Sequence, residues 1–239
     1  MKKRKILILI LLFTSSFITI SLSKNQNQSS QILVKTIVKH QPTTKNNETI
    51  QSLQKKYNNN DIKGIISLEN ESSFHYPVAQ ARDNSYYLTH DYYKNNDKYG
   101  VIFADYRINL DSSYKVLLFG HNSSHKQTPF GALEKYYDYS YYQNHKYLFL
   151  KTTTNNYKYE IFSVYIEYED FTYMNLNFSN SQEWYNHLLK LQQKSFYKTK
   201  TKLQNNDKII ILQTCSNHPD YQKYEKKYLL VIAKKIENT

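Results

Sequence analysis

The 239-residue sequence predicts a mainly β domain, an eight-stranded closed or nearly closed barrel interrupted by helical segments. Three observations predict it. Short runs enriched in Ile, Val, Tyr and Phe recur between turn signals, there are eight of them, and two segments with helical spacing interrupt them. The 25 tyrosines and 11 phenylalanines suit strands whose buried faces carry rings. With only four glycines and four prolines, long flexible linkers and collagen-like segments are excluded.

At the N-terminus, Lys2, Lys3, Arg4 and Lys5 precede an apolar run from Ile6 to Leu22. The run sits at the short end of what spans a bilayer. No small-x-small cleavage site precedes the polar tract that begins at Lys24, so residues 1–23 are expected to be an uncleaved signal-anchor rather than a removed secretory signal. The expected location is the cell membrane, single-pass, with the domain on the extracellular side because the basic residues stay in the cytoplasm. Residues 24–45, rich in Asn, Gln, Ser and Thr, read as a polar stalk, and residues 46–239 as the folded domain.

In that domain, Glu48–Tyr57 has the spacing of one amphipathic helix. The strand-like runs are Gly64–Leu68, Phe74–Gln80, Val101–Ala104, Tyr114–Phe119, Tyr147–Lys151, Tyr157–Tyr168, Lys208–Thr214 and Tyr228–Ile236. One helical segment begins near Phe130 and runs toward Tyr141. The other spans about Ser181–Phe196, with Asn180 and Glu183 placed as a capping box and Trp184, Leu188, Leu189 and Leu191 as its apolar stripe. The Trp and the leucines read as core.

The formal net charge is +12, but the basic residues are dispersed and no nucleic-acid module is present, so no nucleic-acid partner is expected. An anionic lipid surface or cell wall accounts for the charge equally well. The single cysteine excludes an internal disulfide and a Cys-rich zinc site.

That cysteine, Cys215, ends the run Ile209–Thr214 and is followed by the polar stretch Ser216-Asn217-His218-Pro219-Asp220. A strand end supports a thiol rigidly at a rim open to substrate. A cysteine nucleophile needs a partner that stabilises its thiolate and later protonates a leaving amine, usually histidine. His121 ends another strand-like run, Leu117-Leu118-Phe119-Gly120-His121, and is the first candidate; His218, three residues from Cys215, is the second. A zinc site at His121 and His125 lacks a third ligand.

Leu212-Gln213-Thr214-Cys215 resembles the Leu-x-Thr-Cys signature of sortases, and Phe119-Gly120-His121-Asn122 their histidine motif. Further segments resemble class B: Tyr76–Gln80, Asn84–Asp91, Gly100–Arg107, Pro129–Leu133 and Tyr157–Tyr165, in the right order over roughly residues 64 to 236. The resemblance implies the sortase barrel, with N-terminal helices and a long helix before the cysteine strand. It implies a cysteine transpeptidase without cofactor or metal. Its partners would be exported proteins carrying a C-terminal sorting signal, cut after a Thr, and an amine of a peptidoglycan precursor that resolves the thioester. The alternatives are an impaired sortase-fold protein that binds sorting signals or pilins, and a hydrolase that only releases them.

By motif matching, Asn84, Leu88, Tyr173, Met174 and Thr214 take substrate-binding positions. One departure stands out. Sortases carry an arginine at the start of the last strand, and this chain has none after Arg107; Tyr228 takes its place. The expectation is that the Tyr228 hydroxyl donates to the oxyanion while Lys226 or Lys227 supplies positive potential. Strand alternation would put Lys226 on the face of Tyr228 and turn Lys227 away.

Overall fold

The computed structural model describes residues 48–123 and 125–236. Eight strands close into a barrel: β1 (Ile62–Leu68), β2 (Glu71–Ala79), β3 (Phe103–Ala104), β4 (Lys115–Phe119), β5 (Tyr147–Lys151), β6 (Asn156–Glu167), β7 (Ile209–Cys215) and β8 (Tyr228–Ile236). The order around the barrel is β1-β2-β3-β4-β7-β8-β6-β5, with parallel pairs at β2–β3 and β4–β7. All eight expected runs are strands.

Strand alternation sorts the apolar residues into two layers. Every strand sends side chains into the barrel interior, among them Ile66, Val78, Leu118, Leu150, Leu212 and Val231. The outward faces of β4, β6, β7 and β8, with Leu117, Phe162, Ile211 and Leu230, pack against Trp184, Leu188 and Leu191 of helix α3 (Ser181–Gln193). Each fully buried branched side chain contributes about 1.5–3 kcal/mol relative to exposure.

Helix α1 (Ile50–Tyr57) opens on a capping box between Thr49 and Ser52 and buries Ile50 and Leu53 against Ile62 and Ile65. Where one helix was expected from Phe130 toward Tyr141, the chain forms a 3₁₀ segment, Pro129–Tyr137, and then a short helix α2 (Tyr139–Asn144). Asp138 makes the break: extended in backbone, it accepts from Ser140 N and starts a new helix. At α3, Asn180 accepts from Glu183 N, but the Glu183 carboxylate reaches back to Ser179 N rather than to the cap residue. The helix stops at Gln193, short of the expected Phe196, because Phe196 N donates to Val164 O and Val164 N to Ser195 Oγ. The chain leaves the helix to satisfy β6 close to its bulge at Ile161–Ser163.

The expected single-pass membrane location, with the domain outside, is corrected here: among the described residues no helix is long and apolar enough to cross a membrane. The longest, α3, has 13 residues, about 20 Å against the roughly 30 Å of a bilayer's hydrocarbon core. The anchor expected at residues 1–23 and the stalk at 24–45 lie outside the described residues.

The buried tyrosines make the fold alkali-sensitive. Burial holds the phenols of Tyr92, Tyr136, Tyr159 and Tyr165 well above their usual range, and that of Tyr137 at about 12. Above pH about 10 the unfolded chain releases these protons while the folded chain keeps them, so their contribution to stability is full below that pH and falls as pH rises. Urea midpoints should decline from pH about 10 upward; a flat profile to pH 11 would contradict the burial of these hydroxyls.

Candidate active site

The parallel pair β4–β7 aligns Phe119 with Gln213. Two residues further along each chain stand His121 and Cys215, just past the last paired position, and both line one cleft. Three hydrogen bonds extend the pairing past the strand ends. Gly120 N donates to Gln213 O (3.2 Å), Thr214 Oγ1 to Gly120 O (2.8 Å), and Asn122 Nδ2 to Cys215 O (3.0 Å). On the other side, Cys215 pairs directly with Tyr228 of β8. Because paired residues share a face, the thiol has histidine on one flank and a phenol on the other.

These groups line a cleft of about 270 Å³ with Asn84, Leu88, Phe103, Phe119, Gly120, Met174, Gln213 and Thr214. The lining is mostly apolar and contains no arginine or lysine. Such a cleft suits an extended peptide with apolar side chains and excludes water around a reacting carbonyl.

Two glycines shape it. At Gly120 a Cβ would meet the Phe130 ring at 2.8 Å, so only glycine lets that ring support the chain beside His121. At Gly100, φ is +51° and a Cβ would lie 2.1 Å from Tyr87 O. Its absence lets Val101 N donate to Tyr87 O, which seats the turn Tyr86–Leu88. That turn presents Leu88 O to His121 Nε2 at 2.9 Å. A carbonyl only accepts, so Nε2 carries the hydrogen and Nδ1 is the basic nitrogen.

Cys215 is solvent-exposed, yet its thiol is crowded enough that burial pushes its pKa up, opposed by the positive charge of Lys227. Strand alternation was expected to turn Lys227 away. Lys227 lies one residue before β8, where its carbonyl accepts from Ser216 N and its Nζ donates to Tyr224 O, and it lines no part of the cleft. Lys226 is exposed and lines no part of the cleft. The Tyr228 phenol is half-buried, its pKa raised by burial and by Cys215, and its ring packs edge-on to Phe171.

Of the other expected contacts, Asn84, Leu88, Met174 and Thr214 line the cleft. Asn84 is held on both sides of its amide, donating to Asp105 Oδ2 and accepting from Tyr106 N. Tyr173 is buried beneath the cleft, where its hydroxyl donates to Gln213 Oε1 at 2.7 Å. His218 caps the turn Pro219–Tyr221 and lies edge-on to Tyr137, outside the cleft lining. His125 is exposed. Sequence reading missed Phe103, Phe119 and Gln213 as cleft residues. Period two from Cys215 back to Gln213, and from His121 back to Phe119, was the available signal.

A family model described as Sortase domain matches residues 70–236. Sortase B of Listeria monocytogenes is 33% identical over 166 residues, covering 69% of this chain and 67% of that protein. Sortase B of Staphylococcus aureus is 31% identical over 180 residues, covering 75% and 72% respectively. A solved Staphylococcus aureus sortase B–substrate complex superposes with a TM-score of 0.70 at 28% identity, covering 91% of this chain and all of that one.

Proposed function

The chain belongs to the sortase family of cysteine transpeptidases, class B, and from that premise we propose that it cuts exported proteins at a C-terminal sorting motif and transfers them to an amine. The observation that carries this is the placement of the sole cysteine between His121 and Tyr228 in an apolar cleft. The Cys215 thiolate attacks the carbonyl after a Thr of the motif, forming a tetrahedral oxyanion. His121 gives a proton to the departing amine, leaving a thioester on Cys215. The amine of a peptidoglycan precursor then attacks the thioester, its proton passes to His121, and the thiolate is released as the amide forms.

An unperturbed thiol has a pKa of about 8.5, so only a few per cent is thiolate at neutral pH. Burial lowers that fraction further and the charge of Lys227 restores part of it. The test is a library of sorting peptides, with and without a soluble amine, with products read by mass spectrometry. Cleavage after Thr, with the amine joined to the new end, is expected; release of the free acid alone in the presence of amine would reduce the activity to hydrolysis.

The cleft has no arginine, and this one observation favours the second reading, a slow or non-turning protein that binds sorting signals. Tyr228 bears on it. The residue pairs with Cys215 across β7–β8 and lines the same cleft, and its hydroxyl can donate one bond to the oxyanion. Tyr228→Phe, which removes only that hydroxyl, should lower kcat by tenfold to about a hundredfold with little change in KM. A rate equal to wild type would reject the role. Tyr228→Arg giving a faster enzyme would place the family's arginine site here.

A further inference from the structure

Lys115, the first residue of β4, is buried, with 3% of the residue exposed, and no carboxylate pairs with it among the described residues. Its ammonium is held by three acceptors: Tyr173 O at 2.9 Å, Asn175 O at 2.6 Å and His187 Nε2 at 2.8 Å. The rings of Phe178 and Trp184 lie 5.0 and 5.5 Å from it. An apolar side chain would cost far less to bury at this position. A lysine held there without a counter-ion has a use for its donors.

The two captured carbonyls flank a single residue, Met174, which lines the cleft. Tyr173, whose carbonyl Lys115 holds, also donates from its hydroxyl to Gln213, a cleft residue two positions before Cys215. The turn Phe171–Met174 is a single 3₁₀ turn. Asp170 caps its start, and Lys115 holds the backbone at its end through the Tyr173 and Asn175 carbonyls. Burial, with a smaller contribution from the charge of Arg107, lowers the Lys115 pKa to about 7, and burial with the charge of Lys115 lowers that of His187 to about 3. Even as a neutral amine Lys115 keeps two N–H groups, one for each carbonyl.

We propose that Lys115 is a positioning residue for the donor-peptide subsite, fixing Met174 and the Tyr173–Gln213 bond so that the sorting peptide meets a preformed wall. This rests on the reading of the cleft as a sorting-peptide site. It touches neither the thiol nor His121 and acts through the backbone of the turn.

Lys115→Met is the test, since it keeps the length and apolar stem but removes every donor. With a sorting peptide as substrate, KM should rise about tenfold while kcat stays within about threefold. Alkylation of Cys215 by iodoacetamide, which needs no peptide subsite, should keep its rate and pH profile. Met174→Ala should raise KM as well, and adding Lys115→Met to it should raise KM little further, because both changes remove the same wall. An unchanged KM, or kcat and alkylation falling together with peptide binding, would overturn the proposal. If Lys115→Met failed to fold, Lys115→Gln, too short to reach both carbonyls, would be read by the same criteria. A wild-type protein inert toward every sorting peptide would overturn the functional reading and this inference with it. An active wild type with an indifferent Lys115 variant would overturn this inference alone.

Discussion

Cys215→Ala should abolish cleavage and transfer of sorting peptides while leaving the thermal midpoint near that of wild type. The chain has no other thiol, so no neighbouring nucleophile can substitute. The substitution removes a single sulfur from an exposed strand end whose backbone bonds, to Asn122 Nδ2 and across to Tyr228, do not involve the side chain. Loss of activity without loss of fold therefore isolates chemistry from structure. Undiminished turnover in this variant would remove the nucleophile from the account altogether.

His121→Ala should lower kcat by at least about a hundredfold, the scale of lost general acid–base help. The expectation comes from position: His121 follows the end of β4, which pairs with the cysteine strand, it lines the same cleft as Cys215, and Leu88 O fixes its ring through Nε2. The comparison variant is His218→Ala. That ring is spent on a turn cap and on Tyr137, so the rate should barely change. A reversed pair of results would move the acid–base role to His218 and break the argument from the β4–β7 register.

Much of this was legible in the sequence, for identifiable reasons. The eight strands announce themselves because the barrel buries both faces of its central strands, so runs such as Ile209–Leu212 are continuously apolar. Cys215 and His121 are legible as strand-end residues followed by polar segments. Their meeting is not, because it depends on β4 and β7 lying side by side across some 90 residues of chain, a fact of strand order rather than of local pattern. The turn carrying Tyr173 and Met174 is also opaque to sequence. A one-turn 3₁₀ segment has no periodicity, and it sends one of two adjacent side chains into the core and the other to the cleft. Lys115, inside the expected run Tyr114–Phe119, gives no sign of its role in the local pattern; the tertiary packing of α3 and the Tyr173–Asn175 turn buries it.

The central claim is that Cys215 forms a thioester with the sorting peptide. The most direct measurement is to mix the protein with a sorting peptide in the absence of amine, quench in acid, and map the adduct by mass spectrometry. An acyl group ending in the motif Thr is expected on Cys215, discharged by hydroxylamine. Cleaved peptide with no adduct, or an adduct on another residue, would contradict it.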